Sequence, residues 1–138
     1  MFIKGSFSKN INILKMSMDA ALLRRNVIAN NLANSETPNF KRSVINFEAQ
    51  LKRALDSEKV RQPHQHVTDP RHIPFYRPMD YRSVTPRRVL DYLTTAKNNG
   101  NNVDMEEEMM QALQNQLRYQ TMVSIINSEF GRVNLVLR

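Results

Sequence analysis

The last third of the chain carries the pattern that most narrows what it can fold into. Met105, Met109, Ala112, Gln116, Tyr119, Val123, Ile126, Phe130, Val133 and Leu137 recur at alternating steps of four and three. A register held for more than four heptads is that of a helix with a coiled-coil seam. Met110, Leu113 and Leu117 widen the stripe on its flank. Asp104 stands where an N-cap belongs, and Glu107 follows three residues later, as in a capping box. Acidic residues in that first turn also suit the helix dipole. The spacing predicts a helix of about 34 residues, ~50 Å long at 1.5 Å per residue. A small globule on one side cannot support a helix of that length. Gly131 costs about 1 kcal/mol relative to Ala there, and marks either a close helix approach or a weak last turn.

A second stripe lies near the other end. Ile11, Leu14, Met18, Ala21, Ile28 and Leu32 line one face of a predicted helix over 11–34. Arg25 interrupts this stripe and is expected to snorkel its charge into water. The helix stops at Ser35-Glu36-Thr37-Pro38-Asn39, because Pro38 pushes Thr37 out of the helical region. Phe40, Val44 and Phe47 then suit a short extended segment, and 48–55 one or two helical turns.

Between the two stripes the regular signal fades. Pro63, Pro70, Pro74, Pro78 and Pro86 forbid long helices and central strands. Short strands or polyproline-like pieces fit at 73–76 and 81–84, and Asn98-Asn99-Gly100-Asn101-Asn102 reads as a loop. The predicted fold is therefore mainly α. Long N- and C-terminal helices pair as an antiparallel coiled coil around a Pro-rich insert that is irregular or holds short strands. The predicted divisions are 1–55, 56–102 and 103–138. Arg25, Gln116 and Tyr119 make the seam imperfect, so leftover apolar residues such as Met122, Ile125, Leu135 and Val136 read as surfaces for neighbouring subunits. The alternative is an ordinary helical domain whose core the insert completes.

Composition removes several classes of function. With no Cys among 138 residues, disulfides, thiolate catalysis and Cys-based zinc sites are excluded, though the compartment is not revealed. The N-terminal residues do not form the apolar core of a cleavable signal, and no stretch approaches the ~20 apolar residues of a membrane span. The net charge is +7, yet it is unevenly spread. Six Arg lie between Arg61 and Arg88, whereas the C-terminal segment opens on Asp104, Glu106, Glu107 and Glu108. Opposite charge on different parts of one chain suits head-to-tail self-association.

Three rival readings rest on weaker patterns. His64, His66 and His72, with Asp69, have a spacing loosely like a metal site, but loop histidines near prolines explain them better. Tyr76 and Tyr81 among the arginines suit base stacking, but no recognition helix accompanies them. Lys15, Arg24 and Arg25 suit a membrane-surface helix, but its stripe lacks large aromatics. No catalytic residue, metal site or cofactor is predicted, and neither nucleic acid nor direct lipid binding is expected.

Two stretches carry a resemblance. Asn30-Asn31-Leu32-Ala33-Asn34 followed by Thr37-Pro38-Asn39-Phe40-Lys41 resembles the signature of the flagellar rod and hook family. The segments Gly100-Asn101-Asn102-Val103-Asp104-Met105-Glu106 and Asn115-Gln116-Leu117-Arg118-Tyr119-Gln120 are similar to the C-terminal signature of its proximal rod class, and Thr68-Asp69-Pro70-Arg71-His72-Ile73 to a mid-region phrase of that class. Asn39 and Phe40 replace the usual Gly and Tyr. Asn tolerates positive φ, so the turn survives. The resemblance implies a structural subunit of the flagellar basal-body rod that assembles helically to transmit torque. It further implies export through the flagellar type III apparatus without a cleaved signal peptide and assembly in the periplasm. Implied partners are other copies, other rod proteins, and basal-body ring and export-gate proteins. Another rod class of the same family is the nearest alternative. The seam through Leu14, Met18, Ala21 and Ile28 on the first helix, and Met105 to Leu137 on the last, is then expected to carry assembly.

Overall fold

A run of 28 residues free of Pro and Gly forms the first helix, α1 (Ser6–Ala33). After it come strand β1 (Ser43–Asn46), helix α2 (Glu48–Lys59), a 3-10 turn (Tyr81–Ser83), strand β2 (Arg87–Leu90) and helix α3 (Met105–Val136). The computed structural model describes residues 6–60, 69, 71–72, 78–94 and 98–137. The fold is mainly helical with one small sheet, in which β1 pairs with β2. Its residues group into two compact units. One comprises Met1–Ile45 with Pro86–Arg138, the other Asn46–Thr85.

In the first unit, α1 and α3 pack along each other. Successive contacts fall in opposite order on the two helices. The Asn31 side chain meets Glu108, the Ala21 carbonyl meets Asn115, and Phe7 meets Phe130 edge-on at a ring separation of 6.4 Å. The small side chains Ala20 and Ala21, both buried, let α3 come close enough for the Asn115 amide to reach a main-chain oxygen. Val27 and Ile28 are buried about two turns further on. Leu14 and Met18 are half-buried, while Arg25 lies in solvent.

The sheet belongs to this unit and ties the end of α1 to the start of α3. Along β1, Ser43 and Ile45 turn inward and Val44 and Asn46 outward, as the two-residue period of a strand requires. Asp91 N–H donates to the Arg42 carbonyl at 2.9 Å beside the strand pair. α3 begins as its cap predicts: Asp104 Oδ1 accepts from the N–H groups of Glu106 and Glu107. Glu107 does not return the reciprocal bond of a capping box. Its carboxylate faces Arg42 and accepts from Gln111 instead.

The second unit is built on α2. Leu51 and Ala54 are its buried face, with Phe47 buried just before it. α2 packs on the 3-10 turn, where Tyr81 and Val84 are buried. Ser57 Oγ joins the two pieces, accepting from Met79 N–H at 2.9 Å and donating to the Ala54 carbonyl at 2.6 Å. Asp80 caps the 3-10 turn by accepting from Arg82 N–H. The sequence suggests a strand or polyproline piece at 81–84; the caps of Asp80 make it a tight helical turn, and the strand lies later, at Arg87–Leu90. The companion expectation at 73–76 lies outside the described residues.

Candidate functional site

Two sequence stretches that are sixty residues apart converge in the first unit. Asn30 to Phe40 finish α1 and turn the chain. Asn34 N–H donates to the carbonyls of Asn30 and Asn31, and Thr37 N–H to the Asn34 carbonyl. Asn39 then takes φ +58°, a left-handed conformation that Asn tolerates where bulkier residues do not. Gly100 faces it with φ +77°, and a Cβ on Gly100 would sit 2.6 Å from Asn39 Oδ1. The pairing is sealed by Asn39 N–H donating to the Asn99 carbonyl and by Lys41 Nζ donating to the Gly100 carbonyl at 2.7 Å.

Three buried asparagines hold the knot together. Asn101, fully buried, shares its amide protons among the carbonyls of Asn34, Ser35 and Thr37 at 2.8–3.1 Å. Its Oδ1 accepts from Val103 N–H at 2.7 Å. Asn102 accepts from Arg42 N–H and donates to the Asp91 carbonyl and Thr94 Oγ1. Asn31, also fully buried, exchanges both bonds with the Ser43 backbone and donates to Glu108 Oε2 at 3.2 Å. Side-chain amides are suited to this task because they carry donors and acceptors without charge, so every irregular main-chain group they meet is satisfied inside the protein.

Arg42 and Glu108 add a charged pair to the knot. Arg42 Nε lies 3.2 Å from Glu108 Oε1, and its Nη1 donates to Glu107 Oε2 at 3.1 Å. Glu108 is only 1 % exposed. Burial pushes its carboxyl above the usual carboxylate range; the Asn31 hydrogen bond and the Arg42 charge oppose that shift, and Glu107 adds to it. Nearby, Asp91 is held below its ordinary range mainly by the hydrogen bond from Thr94.

This knot turns α3 in an unexpected direction. The residues that face inward in its first half are Glu108, Gln111 and Asn115. The apolar row lies outside: Met105, Met109, Met110, Leu113 and Leu117 are 40–57 % exposed. Ala112 and Gln116 are exposed as well. In the second half Tyr119, Val123, Ile126 and Val133 are half-buried, whereas Phe130 and Leu137 are 49 % and 77 % exposed. Of the signature residues, Asn31 is fully buried, Leu32, Asn34 and Phe40 are half-buried, and Asn30, Ala33, Thr37, Pro38 and Asn39 lie at the surface. Sequence reasoning missed Arg42, Glu108 and Asn115 as partners. Glu108 and Asn115 stand one heptad apart in a polar row that looks like a solvated face, and Arg42 carries no periodic signal.

Among the described residues no group of three His, Asp or Glu side chains could hold a metal ion, and no helix is long and apolar enough to cross a membrane. His64, His66 and Tyr76 lie outside those residues.

Comparison with known proteins meets the same stretches. Residues 16–41, which end α1 and run through the signature turn, match the family model described as flagella basal body rod protein. The chain is similar to a flagellar basal body rod protein FlgB of Borreliella burgdorferi, 36 % identical over 97 % of this chain and 99 % of that protein. It is also similar to the FlgB proteins of Borrelia hermsii, 38 % identical over 96 % of the chain, and Bacillus subtilis, 35 % identical over 95 %. The fold and the signature knot thus define a structural protein of the flagellar rod class. Within that class, the chain belongs to the FlgB family of flagellar basal body rod proteins.

Proposed function

We propose that this rod subunit acts at the proximal end of the rod, where copies assemble into a helical tube that transmits torque. One observation carries the reading: the first half of α3 is turned inside out, with polar side chains packed against the protein and a methionine and leucine row facing solvent. Burying such a row releases about 25 cal/mol per Å2 of apolar surface, and a lone chain leaves that gain unused. Contacts between unlike faces that do not close on themselves generate a helical assembly.

In this reading α1 and α3 form an antiparallel coiled-coil pair whose seam is completed by neighbours. Leu14, Met18, Ala21 and Ile28 support it from α1; Met105, Met109, Ala112, Tyr119, Val123, Ile126, Phe130, Val133 and Leu137 supply it from α3. The signature turn serves that pair from within the chain. It fixes the angle at which α1 leaves the knot, so that both helices present their faces in one register. The chain works as a scaffold with no catalytic step and no cofactor. Its partners are other copies, other rod proteins, and ring and export-gate proteins of the basal body. It reaches the periplasm through the flagellar export apparatus without a cleaved signal.

The test is incorporation. In cells lacking the gene, the wild-type chain restores swimming and is recovered in purified basal bodies. Val123→Asp or Ile126→Asp places a charge in the seam; each variant is expected to be exported yet absent from basal bodies. Swimming cells with either variant built into the rod would contradict the assignment.

A further inference from the structure

A groove of about 630 Å3 runs between α1 and α3. Its walls carry small and aliphatic side chains, among them Ala21, Ile28 and Ala112, and Arg25 stands at its α1 side. Asn115 also lines it. That side chain is 94 % buried (6 % exposed), its Nδ2 is spent on the Ala21 carbonyl, and its Oδ1 has no partner. A buried amide oxygen left without a donor costs stability. The groove thus asks its occupant for three things: apolar side chains of adaptable shape, a hydrogen-bond donor for Asn115 and an anion for Arg25.

The start of α3 offers all three on one exposed surface. Met109, Met110 and Leu113 are more than half exposed. Methionine is unbranched and fits irregular gaps. Gln114 is exposed beside them and supplies an amide donor, and the exposed Glu106 supplies the anion. Helix-wide charge points the same way. α1 carries Lys9, Lys15, Arg24 and Arg25 against Asp19, and α3 carries Glu106, Glu107, Glu108 and Glu129 against Arg118 and Arg132. Complementary fields steer unlike faces together and oppose like ones.

We infer that the groove between α1 and α3 receives the methionine face of α3 from a second copy of this chain, with Glu106 of that copy set against Arg25. The inference rests on the self-assembling rod reading and names the contact by which it proceeds. The contact is heterologous, so each copy offers a groove to one neighbour and a methionine face to another.

A charge swap tests it in the full-length chain, read by the amount recovered in purified basal bodies. Arg25→Glu and Glu106→Arg are each expected to lower incorporation about tenfold, the equivalent of roughly 1.4 kcal/mol. The double variant, Arg25→Glu with Glu106→Arg, restores the pair between copies and recovers most of the loss. A second arm needs no charge reversal. The chain has no Cys, so copies with Arg25→Cys and copies with Glu106→Cys are co-expressed and basal bodies treated with a short bismaleimide. A mixed cross-linked dimer is the expected product. A double variant no better than the single ones overturns the inference, since the groove then takes a different partner. So do basal bodies that contain the chain but yield same-site dimers only, or none; the rod assignment survives both results. Absence of the wild-type chain from basal bodies overturns the rod assignment itself, and the inference with it.

Discussion

At the scale of single residues, the protein depends on amides placed where the chain has no regular partner. Asn101 satisfies three carbonyls of the signature turn and one N–H at the start of α3. Asn101→Ala leaves those groups buried and unpaired, and is expected to cost about 2 kcal/mol, read as a lower urea midpoint with an unchanged slope. Glu108 makes a different kind of prediction. Its folded carboxyl is raised by burial, so the folded state binds a proton more readily than the unfolded state does. Between the raised folded value and the ordinary carboxylate range, stability therefore increases as pH falls. The melting temperature of the native protein relative to that of Glu108→Gln is expected to rise as pH falls from the raised folded value toward the ordinary carboxylate range. A native protein that loses ground to the variant over that interval would contradict this account of Glu108.

At the scale of elements, the two long helices were legible in the sequence because each has a periodic apolar signal and a chemical stop. Pro38 and the Asn turn end α1, and Asp104 starts α3, one residue before the observed first turn. The face that α3 packs was not legible. Periodicity detects where apolar residues recur, and on this helix the apolar row and the packed row diverge over the first three turns. The packed row is held by Glu108 and Asn115, whose partners Arg42, Asn31 and the Ala21 carbonyl come from distant parts of the chain. β1 falls within the extended segment expected around Phe40, Val44 and Phe47, whereas β2 escaped for a related reason: it is wholly exposed and has no alternation to read. Gly131 was ambiguous in sequence, and the structure shows open space around it. Gly131→Ala is accordingly expected to stabilise α3 by about 1 kcal/mol, visible as a higher thermal midpoint.

At the scale of the whole molecule, the two family signatures serve a geometric purpose. They sit at opposite ends of the sequence and meet in one knot, which sets the packed face of α3 and leaves its methionines outside. A protein built to stand alone would turn that face inward. This one buries charge and amides to keep it outward, which makes sense if the missing surface belongs to neighbours. The methionines themselves report on that claim. Met105, Met109 and Met110 are 40 %, 54 % and 57 % exposed in the single chain and accessible to dilute peroxide. Mass spectrometry of sulfoxide formation, compared between the free chain and purified basal bodies, measures their burial directly. Strong protection of all three on assembly is the expected result; equal oxidation in the free and assembled states would contradict the account.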